Sequence, residues 1–217
     1  MSAGTKPNEP PRAMIQLYGV GEAKKVDARC RELDPFFGEW VAKEIYDTLW
    51  ELPPLNFLDK SLVTIISLIV LEREEQLQIH LRGFLHQGKT PDHVVNILNH
   101  MSELGYITSA EKSLNILKGV SEERGYPLIP SSMPFLEEPL SAREVALIKL
   151  SVCIAKGNPV KTKTCLIELS KNGLLTEEEQ RGVMRHQMTY CGCPCSMNGF
   201  ALLKEIAAEL KGRGDCR

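Results

Sequence analysis

Ten residues, Leu62–Leu71 (LVTIISLIVL), are almost wholly apolar and run into a charged corner at Glu72–Glu75. That length is about half of what a membrane span needs, so the block reads as a buried helix within a protein core. Beyond the corner, Leu77, Leu81, Phe84 and Leu85 recur at three- and four-residue steps, the period of one buried helical face. Gln76 and His80 are four apart and stand one turn from each other on a neighbouring face. Gly88 then supplies a left-handed stop. The stretch from Lys60 to Gly88 therefore predicts two successive helices, with a histidine and a polar partner beside an apolar wall.

The rest of the chain is organised around that pair. Residues 1–11 (MSAGTKPNEPP) have the polar, proline-rich composition of a disordered start. Arg12 to Arg31 reads as two short helical pieces interrupted at Tyr18-Gly19-Val20-Gly21. A helix opens at Asp34 or Pro35 and runs through Trp50, with Phe37, Val41, Ile45 and Leu49 as its buried stripe, before Pro53-Pro54. Thr90-Pro91-Asp92 is a strong helix start, with threonine as cap and proline in the first turn. That helix reaches Gly105, and another runs from about Ser109 to Gly119.

Gly125–Pro139 holds four prolines without a sustained period and reads as a linker. After it the pattern recurs. Leu140–Cys153 repeats the apolar helix, Thr164–Lys171 the amphipathic one, and Gly173 the stop at Gly88. Thr176 with Glu179 forms a capping box where Thr90 stood, His186 answers to His100, and Ser196–Lys211 repeats the last helix. The expectation is an all-α fold of two tandem copies: a first repeat with its N-terminal helices over 12–124, a linker over 125–139 and a second repeat over 140–217. The repeated unit itself spans about 58–119 and 140–211.

A net charge of −2 offers no electrostatic case for nucleic acid or an anionic membrane. With no span-length apolar run and no basic-then-apolar start, the expected location is the cytoplasm. Seven cysteines in a reducing compartment argue against structural disulfides.

Several stretches together resemble the carboxymuconolactone decarboxylase family. They are Lys60-Ser61-Leu62-Val63-Thr64-Ile65, then Glu75-Gln76-Leu77-x-x-His80-Leu81-Arg82-Gly83, then Gly88-x-Thr90. Asp34-Pro35-Phe36, Trp50 and the proline after it fit as well, and the first half most resembles the γ-carboxymuconolactone decarboxylases. Tyr190-x-Gly192-x-Pro194 matches the turn before the family's last helix. The resemblance implies an all-helical fold, assembly as trimers or hexamers, no cofactor, and a small carboxylated lactone as substrate. It also implies roles. His80 would act as acid/base, Glu75 or Gln76 would orient it, and Lys60 would hold a carboxylate. The sequence departs from the family pattern in three ways. Asn56-Phe57-Leu58-Asp59-Lys60 carries one base where the family has several arginines. Gln76 stands where many members have glutamate, and neither half has the Cys-x-x-Cys of the peroxidase branch. In the second copy Cys165 falls where His80 does and Glu144 where Ser61 does, so that copy is degenerate for this chemistry.

Each candidate has a plainer alternative. A histidine on an apolar helix face also serves as a hydrogen-bonded core residue, and Lys60 as a solvated helix-start charge. Glu74 and Glu75 fit an exposed corner, His86 and His93 the surface, and His100 and His186 a shared packing role. Cys191-Gly192-Cys193-Pro194-Cys195 is open to three readings. These are a redox site with thiols activated at a helix start, a soft-metal site with His186 as fourth ligand, or small residues packed at a tight turn. The redox reading carries the alternative function, a thiol-dependent peroxidase resembling the alkylhydroperoxidase-D branch.

Overall fold

The computed structural model describes residues 9–127 and 139–214, and among these every regular element is helical. The expected 1–11 segment lies outside the described residues except for its last three. There Pro10 and Pro11 are already buried, in contrast to the disorder that composition suggests for these positions. The centre of the expected linker, 128–138, also lies outside them.

Two short helices, α1 (Arg12–Tyr18) and α2 (Val20–Leu33), are separated at Gly19, whose φ of 79° suits a residue without a side chain. Asp34 caps α3 (Pro35–Trp40) by accepting the Phe37 N–H at 2.7 Å. The chain then passes without a break into a π-helical segment, Val41–Leu49, closed by a five-residue bond from Trp50 N–H to the Ile45 carbonyl at 2.9 Å. The wider turn corrects the expected stripe. Phe37 is 43% exposed and Leu49 half-buried, while Ala42, Tyr46 and Trp50 join Val41 and Ile45 on the inner face.

The organising pair forms as its periodicity predicts. Helix α4 (Phe57–Val70) is buried from Asp59 to its end, and α5 (Glu74–His86) buries Leu77, Leu81, Phe84 and Leu85. Thr90 caps α6 (Pro91–Glu103) through the His93 N–H, and α7 (Ile107–Glu123) is longer at both ends than expected. The second half contains α8 (Ala142–Lys156), α9 (Pro159–Asn172), α10 (Glu177–Cys191) and α11 (Cys193–Gly214). Capping boxes close the starts of α8, at Ser141 and Glu144, and of α10, at Thr176 and Glu179.

The pairings α4–α5, α6–α7, α5–α7 and α4–α7 recur as α8–α9, α10–α11, α9–α11 and α8–α11, and α4 packs on both α8 and α10. One hydrophobic core runs through α4–α11. A second, smaller core is built from α1, α2, the π-helical segment and Trp50, and it meets α5 and α10 at Ile79 and Tyr190. The candidate site sits on the seam between these two cores.

Candidate active site

His80 points into that seam and is 8% exposed. Its position follows from α5: Leu77, Leu81 and Phe84 turn one face to the main core, which carries His80 to the flank facing α1. There the Tyr18 hydroxyl meets Nδ1 at 3.2 Å and, on its other side, the Tyr46 hydroxyl at 3.1 Å. Tyr18 can come this close because residue 83 is glycine. A Cβ there would lie 2.7 Å from the Tyr18 ring and 3.2 Å from the Leu17 carbonyl. Trp50 lies parallel to the imidazole at 6.3 Å between centroids, and Tyr190 meets it edge-on at 5.4 Å. The π-helical turn puts Tyr46 and Trp50, four residues apart, on one face, with their rings stacked at 6.3 Å.

A second histidine completes the cluster. His186 is 1% exposed, its Nε2 is 2.8 Å from the Thr64 hydroxyl, and its ring meets Trp50 edge-on at 4.7 Å. Trp50 Nε1 and His186 Nδ1 have no well-formed hydrogen-bond partner among the described residues. Lys60 is 3% exposed and donates its ammonium to the Trp50 carbonyl at 2.5 Å. Beside it a recess of roughly 10 Å³, lined in part by Leu52, Pro53, Lys60, Arg185 and His186, is at the lower limit for a single water.

Burial dominates the electrostatics. It drives His80 from its ordinary 6.5 down to about 3 and His186 well below its usual value, with the nearby Lys60 charge adding to the effect on His186. Both imidazoles are therefore neutral at pH 7. Burial also lowers Lys60 to about 8 and raises the Tyr18 and Tyr46 hydroxyls well above the ordinary tyrosine value and Tyr190 to about 12. The site offers neutral hydroxyl and imidazole groups around one buried ammonium.

The residues singled out from sequence fare differently. His80 and Lys60 are buried in the same region. Glu75 instead points outward and pairs with Arg29 at 3.0 Å, and Gln76 is exposed. One helical turn separates Gln76 from His80, yet the imidazole's partner comes from α1. His186, expected to share a packing role with His100, belongs to the polar cluster, whereas His100 pairs with Glu103 at 2.9 Å. His93 is not a surface residue: it packs near Phe84 and faces Glu144 at 2.9 Å. Of the three clustered thiols, Cys193 is exposed, while burial pushes the Cys191 thiol up to about 11, opposite to the activation expected at a helix start. Cys191 ends α10 rather than preceding α11, so its thiol points into packing beside Gln187. Among the described residues no group of three metal-ligating side chains is arranged to hold an ion.

Residues 35–119 match the model of the carboxymuconolactone decarboxylase family. The chain carries a carboxymuconolactone decarboxylase family domain. It is also 27% identical over 114 residues to a 4-carboxymuconolactone decarboxylase of Acinetobacter baylyi, covering 51% of this chain and 84% of that protein. The family domain runs from α3 into α7 and holds Tyr46, Trp50, Lys60, Thr64 and His80. Tyr18, His186 and Tyr190, which close the site, come from outside it. Tyr18 and Tyr46 had no short-range signal; Tyr190 stood in the Tyr-x-Gly-x-Pro motif, and Trp50 before its proline, without a role attached to either.

Proposed function

We propose that this protein is a lyase that decarboxylates a small carboxylated substrate of the lactone type, with His80 as the proton-transfer group. The observation that carries the reading is a buried, neutral imidazole held by the Tyr18–Tyr46 hydroxyl pair, inside a domain of a decarboxylase family. Loss of CO2 from a carboxylate leaves a carbanion, which must be stabilised and then protonated. A neutral imidazole is a poor donor, but an anion entering this dry site raises the pKa of His80 and recruits a proton from solvent with it. The imidazolium then returns that proton to the carbanion once CO2 has left, so one substrate carboxylate and one proton become CO2 and product. Lys60, freed from the Trp50 carbonyl, supplies the positive charge facing the carboxylate.

The imidazole is enclosed by Tyr18, Trp50 and Tyr190, and the recess beside Lys60 is smaller than any substrate. Turnover therefore requires movement of α1, whose Tyr18 stands over the ring. The test is CO2 release from 4-carboxymuconolactone and related lactone acids. His80→Ala is expected to abolish release with helical content unchanged, and full turnover in that variant would refute the assignment of His80.

A further inference from the structure

Helices α8 and α9 and the turn between α6 and α7 border an open cleft of roughly 640 Å³ that shares no lining residue with the His80 cluster and falls within the range of small-molecule sites. Its walls are apolar: Leu104, Tyr106, Val152 and Val160, the last 74% exposed at the mouth. Three ammonium groups, Lys149, Lys156 and Lys161, stand around it against the single carboxylate of Glu168 among the described lining residues. None of the three lysines forms an ion pair with a described residue, whereas Lys89, Lys112 and Lys163 each do. Lys156 lies over the Tyr106 ring at 5.2 Å. Two thiols the proposed chemistry does not use, Cys153 and Cys165, adjoin each other in the lining.

We propose that this cleft binds an amphipathic organic anion, its ring or chain against Val152, Val160 and Tyr106 and its acid group among Lys149, Lys156 and Lys161. The charge balance decides the class. Three cations without an ion-pair partner among the described residues, at the rim of an apolar hollow, favour an acid over a neutral ligand of the same shape, and among the described lining residues a cation would meet Glu168 alone. The site is separate from the His80 cluster, so it stands or falls independently of the decarboxylase reading. The half-buried Cys153 thiol provides a reporter on the wall, its pKa lowered by the adjoining Cys165 and, against the opposing effect of burial, by the charge of Lys161.

The test uses the full chain and two probes of similar shape, 8-anilinonaphthalene-1-sulfonate and the uncharged N-phenyl-1-naphthylamine. The sulfonate is expected to bind saturably at one site, more tightly than the neutral probe, and to slow alkylation of Cys153 by iodoacetamide in peptide mass spectrometry. Lys149→Ala/Lys161→Ala, two side chains outside the core, is expected to weaken the sulfonate roughly tenfold, about threefold for each exposed charge contact. Equal affinity for the two probes, unchanged binding by the double variant, or Cys153 labelling indifferent to the sulfonate would each overturn the proposal. The probe comparison and the labelling need only the wild-type chain, so the test survives a variant that fails to fold.

Discussion

Lowering the pH from 7 to 5 puts the burial of His80 to a quantitative test. In the unfolded chain this imidazole takes up its proton near 6.5, whereas in the folded protein burial withholds it until about pH 3. Between those values the unfolded state binds more protons, so stability is complete above about 6.5 and falls as the pH drops towards 3. At pH 5 the linkage from 6.5 to about 3 amounts to roughly 2 kcal/mol lost from His80 alone. That is a large fraction of the ~5–15 kcal/mol typical of a folded protein. The perturbation to compare is His80→Gln, which keeps a hydrogen-bonding group near Tyr18 and does not titrate. Urea unfolding of both proteins at pH 7 and pH 5 isolates the contribution, because His186 and the carboxylates are common to the two. Wild type should lose about 2 kcal/mol more than the variant over this interval. Equal losses would mean that the folded protein admits the proton readily, and the description of a dry, enclosed imidazole would be wrong.

Gly83→Ala should displace Tyr18 and α1 from α5, since its Cβ would meet the ring at 2.7 Å; a cost of about 1–3 kcal/mol is expected, read as a fall in Tm on the order of 5 °C. An unchanged Tm would show that α1 is not seated there. If Lys60 holds the substrate carboxylate, turnover should decline as the pH passes about 8, where the buried ammonium gives up its proton, and Lys60→Arg should shift that limb upward. An alkaline limb identical in both proteins would release Lys60 from this role. Iodoacetamide at pH 8 should alkylate exposed Cys193 well ahead of Cys191, whose thiol burial pushes up to about 11; equal rates in peptide mass spectra would contradict that burial. Glu144→Ala removes a capping box together with contacts to Lys89 and His93, and thermal unfolding should report a loss of about 1–2 kcal/mol. No loss would show that α8 does not depend on this cap.

Helix identity was legible because it is written at short range. The three- and four-residue spacing from Leu77 to Leu85, the Thr90-Pro91 start and the Thr176–Glu179 box each act within about one turn. The π-helical segment was not legible. Val41–Leu49 has an ordinary amphipathic pattern, and its wider turn is settled by packing Tyr46 and Trp50 against α1, α5 and α10. The same limit hid the partner of His80. Gln76 is its helical neighbour, but the hydroxyl that reaches the ring belongs to a residue 62 positions earlier.

Sequence alone settled that the described residues are helical, that Thr90 and the Thr176–Glu179 box open helices, and that a family resemblance centres on His80, while α7, α9 and α11 each begin earlier than their patterns suggest. These depend on local periodicity, capping and the residues of the matched segment themselves. Tertiary structure alone decided that Tyr18, Trp50, His186 and Tyr190 surround that histidine, that Glu75 and Gln76 face solvent, and that Cys153 and Cys165 share a cleft. Thr64 and His186 meet across 122 residues of chain, and contacts of that range arise from how α4, α8 and α10 pack together. Shape and burial of whole helices set that packing, and no short motif encodes it.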